Sequence, residues 1–383
     1  MLQLHPVIVL PEVLAARLHP RMVSTVASPS RLVQRTPVWS ALSARTQDGL
    51  RSIVGGQRDL PAWVLALADG DDEGYFGPGS ATWRVHRDLC LLVGGLRALM
   101  LQMLHPGAVA GVDAHSTYRE NGLARLARTN RWIMVTTFGS RAAANREALR
   151  VRSMHKKVRG TYLDASGQTR GYRADDGRLL AWVHIAFTDS CLSSFRHFSA
   201  DPMRWDRGLA DDYVAEWAVA GELVGVTDPP RSRIDLGHAL LDFEPELAWT
   251  PAADQVLHFL RNPPLPTSMW PAYQALFHGA AATLAPDHRS LIPLTTRGEA
   301  LPRQAAKMMV GTLRTLTAAD SPGLVQAELR LARLADERLG EGEGAPPGCG
   351  PQGTLAARCR PGSRNTQRRE NRHPTTRRPP GRL

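Results

Sequence analysis

Apolar positions recur every three or four residues along most of the chain, and strict alternation is scarce. That period is the signature of helices that bury one face. The first clear helical segment runs from Ser80, a suitable N-cap, to Leu104, just before Pro106. A second spans Tyr118–Gly139. A third opens on Ser140 and closes on basic residues and Gly160, a C-terminal signature. Residues 161–177 are polar and glycine-rich, a loop or a small hairpin, and Asp176–Phe198 is helical again. Further helical patterns cover Leu209–Val226, Ala252–Asn262, Trp270–Leu284, Arg303–Thr317 and Leu324–Gly340. No repeat unit recurs, so a solenoid is not supported. The expected fold class is all-α, a multi-helix bundle over residues 48–340.

The longest apolar stretch, Leu89–Val112, is long enough for a membrane span, but Arg97, Gln102, His105 and Pro106 interrupt it. Polar groups at those depths are costly in lipid. The stretch therefore reads as a buried core helix that breaks at His105–Pro106.

The chain carries a formal net charge of +11, unevenly spread. Residues 356–383, "AARCRPGSRNTQRRENRHPTTRRPPGRL", are dense in arginine, proline and glycine and nearly free of acids. Residues 341–383 read as a disordered basic tail, either merely solvated or binding anions non-specifically. Residues 1–47 read as a partly ordered extension without a secretion signal. Cys90, Cys191, Cys349 and Cys359 are widely separated and form no Cys-x-x-Cys, which argues against structural zinc, covalent haem and a disulfide framework. A reducing, cytoplasmic setting is expected.

The candidate chemistry lies in "RVRSMHKKVRG", Arg150–Gly160. On a helix, Leu149, Val151, Met154 and Val158 share one side, which His155 adjoins. Arg150, Arg152, Lys156, Lys157 and Arg159 take the flanks and the far face. An inward His155 is either a core histidine with both nitrogens satisfied or a neutral ligand for haem or metal. On the preceding helix Arg125 and Thr129 stand four apart, on one face. An inward arginine needs an anion: a salt-bridge carboxylate or a porphyrin propionate.

The segments "GYFGPGSATWRV", "GGLRALMLQMLHPGAVAGVDAHSTYREN", "RLARTNRW", "FGSRAAANREALRVRSMHKKVRG", "YRADDGRLLAWVHIAF" and "YVAEWAVAGELVGV" follow one another in this order. Together they resemble the family of bacterial latex-clearing rubber oxygenases and the fungal ER-bound oxygenase of mycophenolic acid biosynthesis. The resemblance covers Tyr75 to at least Val226 and continues more weakly to about Gly340. It implies a globin-like helical domain enclosing a non-covalent haem b, with His155 as proximal iron ligand and Arg125 and Thr129 at the haem. Arg128 stands where some relatives have an iron-capping lysine, and guanidinium is a poor iron ligand. The relatives' upstream catalytic carboxylate has no clear counterpart. His115 and Glu120 are the nearest polar residues.

His184 shares an inward face with Leu180 and Phe187 and is a distal-pocket residue, a supporting partner or a satisfied core histidine. His105 reads as a helix-end cap. Glu216 and Glu222 are carboxylate partners of buried arginine or a solvated face, and Cys90 and Cys191 read as small buried hydrophobes. The functional expectation is a haem b-dependent oxygenase taking dioxygen and an apolar, unsaturated substrate of isoprenoid or lipid type. The competing reading is a haem-binding or haem-sensing module without turnover. Specific nucleic-acid binding is disfavoured, since the charge lies in the tail and no helix-turn-helix or zinc finger is present.

Overall fold

The computed structural model describes residues 60–115, 118–200, 207–294, 298–317 and 321–343, with the backbone alone for 118–126, 207 and 340–343. The expected N-terminal extension and most of the basic tail lie outside the described residues. Residues up to Arg338 belong to one compact unit and those from Leu339 to a second. The packing below belongs to the first.

The expected segment Ser80–Leu104 is two helices, α1 (Ala81–His86) and α2 (Leu91–Gln102). Ser80 caps α1 by accepting the Trp83 N–H at 3.1 Å. The break falls at Asp88, whose carboxylate accepts the Cys90 N–H at 2.8 Å and pairs with Arg314. A helix-period pattern runs straight through this break, because both pieces bury the same side. Helix α3 (Pro106–His115) starts on the expected proline.

Helices α4 (Tyr118–Phe138) and α5 (Arg141–His155) form a hairpin around Gly139–Ser140. Ser140 caps α5 by accepting the Ala143 N–H at 3.3 Å. Helix α5 ends at His155, not at Gly160, which belongs to strand β1 (Arg159–Leu163). That strand pairs antiparallel with β2 (Thr169–Arg173), Arg159 opposite Arg173 and Leu163 opposite Thr169. Gly160 is required there: a Cβ would lie 2.6 Å from the Tyr172 hydroxyl.

The remaining helices are α6 (Gly177–Phe198), α7 (Arg207–Val224), α8 (Arg233–Phe243), α9 (Pro251–Arg261), α10 (Trp270–Ala282), α11 (Pro286–Leu291), α12 (Ala300–Thr317) and α13 (Pro322–Glu343). The fold is all-α with one two-stranded hairpin. The sequence pattern misses α8 because Ile234 and Leu241 point into solvent and blur its apolar face. No helix among the described residues is long and apolar enough to cross a membrane.

Helix α2 lies along α6, and α10 packs against both α2 and α12, while α7 bridges to α1, α5 and α6. Arg97, the charge inside the apolar stretch, is buried on α2 and pairs with Asp189 of α6 at 2.6 Å. It also donates to Ser190 Oγ at 2.8 Å and to the Thr283 carbonyl at 3.2 Å. The cation is thus satisfied by three groups, as a buried charge must be.

Helices α10 and α12 approach through Gly279, where a Cβ would stand 2.2 Å from the Ala306 Cβ. Gly279→Ala gains about 0.5–1 kcal/mol of helix propensity. It loses about 1–3 kcal/mol to overpacking, and the opposing atom is a stiff Cβ that cannot swing away. Net destabilisation is expected in urea denaturation, with partial recovery in Gly279→Ala/Ala306→Gly. A Gly279→Ala protein as stable as wild type would refute the close approach.

Candidate functional site

The α4–α5 hairpin brings the predicted residues to one end. Glu147 is buried on α5 and takes Arg131 Nε at 3.0 Å from α4 and Arg150 Nε at 3.0 Å from its own helix. The Arg131–Glu147 bridge fixes the register of two antiparallel helices. Six residues back from Arg131 is Arg125, and six on from Glu147 is Ser153. Arg125 is therefore level with Ser153, about 3 Å along the axis from His155 at a rise of about 1.5 Å per residue. Its side chain lies outside the described ones, as does that of Glu120.

The inner face of α5 is Ala144, Glu147, Ala148 and Val151, and the same three-and-four spacing leads to His155. Leu149 and Met154, expected on the buried side, are instead 64% and 42% exposed. The physical reason is close helix packing. Small alanines and an ion-paired glutamate face α4, which leaves no room for the larger side chains. His155 still turns inward by half. Its Nδ1 is buried and has no hydrogen-bond partner. Burial lowers its pKa, with Asp175 opposing, so the imidazole is neutral near pH 7. Thr129 and Arg128 are exposed on α4.

His184 is on a different wall. It is buried on α6, and Gly221 of α7 lies flat against its ring; a Cβ there would be 3.0 Å from both Cε1 and Nδ1. Its Nε2 is buried without a hydrogen-bond partner. The satisfied-core reading of His184 therefore fails for that atom. Helix α7 packs against both α5 and α6, the helices that carry His155 and His184.

A histidine that does fit the satisfied-core description is His86, which the pattern did not single out. Its Nδ1 lies 2.7 Å from Thr137 Oγ1 and its Nε2 lies 3.0 Å from the Tyr213 hydroxyl. Burial pushes its pKa down to about 3. The contrast separates a histidine used by the fold from two that the fold leaves unused.

Burial also pushes His184 from its ordinary 6.5 down to about 4. The unfolded chain takes up this proton near pH 6.5 and the folded chain only near pH 4, so stability falls as pH drops across that interval. The full loss is on the order of 3 kcal/mol. Urea midpoints measured over this range should fall less steeply for His184→Gln than for wild type. Parallel declines would show that His184 is not the buried neutral group described.

The description "ER-bound oxygenase mpaB/B'/Rubber oxygenase, catalytic domain" belongs to a family model that matches residues 83–320. The chain belongs to this family. No curated protein and no solved structure gives a significant match. The match runs from α1 through α12 and holds both His155 and His184. Membership of the oxygenase family makes the chain an oxidoreductase by class and bears out the resemblance carried by its motifs.

Among the described residues no three His, Cys, Asp or Glu side chains converge. The other candidates have structural partners. His105 caps α3: its Nδ1 accepts the Gly107 N–H at 3.1 Å, and its Nε2 lies 3.2 Å from Glu246. His115 is the last residue of α3 and bonds through Nε2 to the Arg159 carbonyl at 2.9 Å. Glu216 accepts the Thr82 N–H at 2.7 Å and the Ala81 N–H at 3.2 Å, capping α1 instead of pairing with a buried arginine. Glu222 pairs with exposed Arg231. Cys90 and Cys191 are buried free thiols with pKa pushed up by burial, which suits small hydrophobes and not thiolates.

A cavity of about 290 Å³ opens beside the β1–β2 hairpin, between His105, Tyr162, Arg170 and Glu246. Among the described residues it holds none of Thr129, His155 and His184.

Proposed function

We propose that this oxygenase-family chain is haem b-dependent and acts with dioxygen on an apolar, unsaturated substrate of isoprenoid or lipid type. The observation that carries the reading is the unpartnered, buried Nδ1 of His155 at the end of α5. A buried imidazole nitrogen without a partner is unusual, since buried polar atoms are nearly always hydrogen-bonded. A neutral imidazole with an unused nitrogen is also the donor that a haem iron takes.

The residues present fit the group. His155 would hold its iron. Arg125, within half a helical turn of His155 by register, and the exposed Thr129 hydroxyl would hold propionates, which belong at a solvent-facing edge. When bound, haem iron supplies the activation of dioxygen. The protein's own tasks are to bind, orient and exclude water. His184 would face the reacting region with Nε2, its ring held by Gly221. At a pKa of about 4 it stays neutral near pH 7, a poor base whose role there would be to share a hydrogen bond. Arg128 would not serve as an iron ligand in place of lysine, since guanidinium stays protonated.

The test is the absorption spectrum of the purified protein, oxidised and dithionite-reduced, followed by oxygen uptake with unsaturated isoprenoids and lipids. A Soret band with substrate-dependent oxygen uptake is expected. No Soret band after haem reconstitution would sink the haem reading. A Soret band without uptake on any unsaturated substrate would leave a haem-binding module without turnover.

A further inference from the structure

The outer face of α12 is apolar and uncharged, where a surface helix ordinarily turns charged residues to water. Leu301 is 83% exposed, and Met308, about two turns on, is 60% exposed. At about 100° per residue, Leu301, Ala305, Met308, Gly311, Thr312 and Thr315 fall within one sector of about 120°. The charges of the helix lie outside that sector. Arg303 pairs with Glu299, Arg314 pairs with Asp88, and Lys307 stands on the flank. Ala306, Val310 and Leu313, on the opposite side, are the residues buried in the core.

The hydroxyls of the outer face need no outside partner. Thr312 Oγ1 donates to the Met308 carbonyl at 3.0 Å, and Thr315 Oγ1 donates to the Gly311 carbonyl at 2.9 Å. Covering them therefore strands no hydroxyl donor. Glycine weakens a helix interior, and at Gly311 a Cβ would meet no atom within 4 Å. No contact inside the chain calls for this glycine, in contrast to Gly279.

We propose that α12 pairs with α12 of a second copy of this chain, antiparallel across a twofold axis at Met308. The gradient of side-chain size along the face selects this occupant. Leu301, Gln304 and Ala305 precede Met308, and the smaller Gly311, Thr312 and Thr315 follow it at matching intervals. The axis sets Leu301 against Thr315, Gln304 against Thr312 and Ala305 against Gly311, the larger on the smaller each time. Such self-complementarity is what an isologous contact requires. A parallel pair would set Leu301 on Leu301 and leave Gly311 facing Gly311. Each Gln304 amide can donate to the Thr312 hydroxyl oxygen of the second copy, which keeps acceptor capacity. Charge agrees: two copies of net charge +11 repel, and this face brings no formal charge to the contact. One helical face is a small contact, so the dimer is weak and depends on concentration. The pairing stands independently of the haem reading.

Sedimentation equilibrium of the full chain, from low to high micromolar concentration, tests the proposal. Wild type should pass from monomer to dimer as concentration rises. Met308→Glu sets two carboxylates against each other on the axis and should weaken the dimer at least roughly hundredfold, with thermal unfolding unchanged. Cysteine cross-linking in a Cys349→Ser/Cys359→Ser background reads the register, since Cys90 and Cys191 are buried. Met308→Cys should oxidise to a covalent dimer. Leu301→Cys and Thr315→Cys should cross-link when mixed and not singly, because a disulfide needs Cα atoms within about 7 Å. A wild type that stays monomeric, or a dimer that survives Met308→Glu, overturns the proposal. Cross-linking of Leu301→Cys with itself would mean a parallel pair and overturns it equally. A monomeric wild type that binds phosphatidylcholine vesicles, with binding lost in Met308→Glu, would make the face a lipid contact instead.

Discussion

His155→Ala is expected to yield folded protein without haem. The Soret band should be absent as purified and after reconstitution, and oxygen uptake should fall to background. Two considerations set the size of the effect. Groups that merely support a metal ligand cost about 10–100-fold in metal affinity when removed. Loss of the ligand itself should exceed that. The fold, by contrast, should barely notice. His155 Nδ1 has no hydrogen-bond partner, so truncation leaves no donor or acceptor stranded. His155 is also only half-buried, at the last residue of α5. Circular dichroism and thermal unfolding should therefore match wild type, and free imidazole should restore part of the Soret absorbance. His86→Ala is the informative opposite: it breaks hydrogen bonds to Thr137 and Tyr213 and should cost stability while sparing the haem. A full Soret band in His155→Ala would remove His155 from the iron.

Asp189→Ala is expected to cost about 3 kcal/mol of stability. Removing one partner of a buried ion pair costs about 3–5 kcal/mol, because the remaining charge keeps its desolvation penalty without its counter-ion. Arg97 is the more buried member, at 4% side-chain exposure against 26% for Asp189. Truncating Asp189 therefore strands the deeper charge. Its contacts to Ser190 Oγ and the Thr283 carbonyl remain, and water reaches the Asp189 side, which points to the lower end of that range. A drop in melting temperature of roughly 5–10 °C follows. Arg97→Met/Asp189→Leu should recover much of the loss, since well-packed apolar replacements often match a buried pair. A loss below about 1 kcal/mol would mean that Arg97 escapes to solvent when unpaired.

The two expectations draw on different levels of information. The motif order that placed the chain among the mpaB/rubber oxygenase domains is carried by residues close together in sequence: a capped helix here, a His followed by basic residues there. Helix caps at Ser80 and Ser140 were legible for the same reason, because a cap joins residues three apart. Partners far apart in the chain left no such trace. Asp189 for Arg97, Tyr213 for His86 and Gly221 for His184 are each set by helices meeting in space.

Helix α5 shows where local reasoning stops. Its period was readable, but its inner face was not. Hydrophobicity assigned Leu149 and Met154 inward, whereas the close approach of α4 selected Ala144, Ala148 and the doubly paired Glu147. His155 turned inward under either assignment, since it follows Val151 by four residues, and Val151 belongs to both stripes. What the sequence by itself determined is the helical class, the caps, the family and the position of the candidate ligand, because these depend on contacts within a few residues. Tertiary structure alone decided which histidines are satisfied and which are left without partners, and which apolar side chains face solvent. Those outcomes depend on the volume and charge that a neighbouring helix presents, which no single segment encodes.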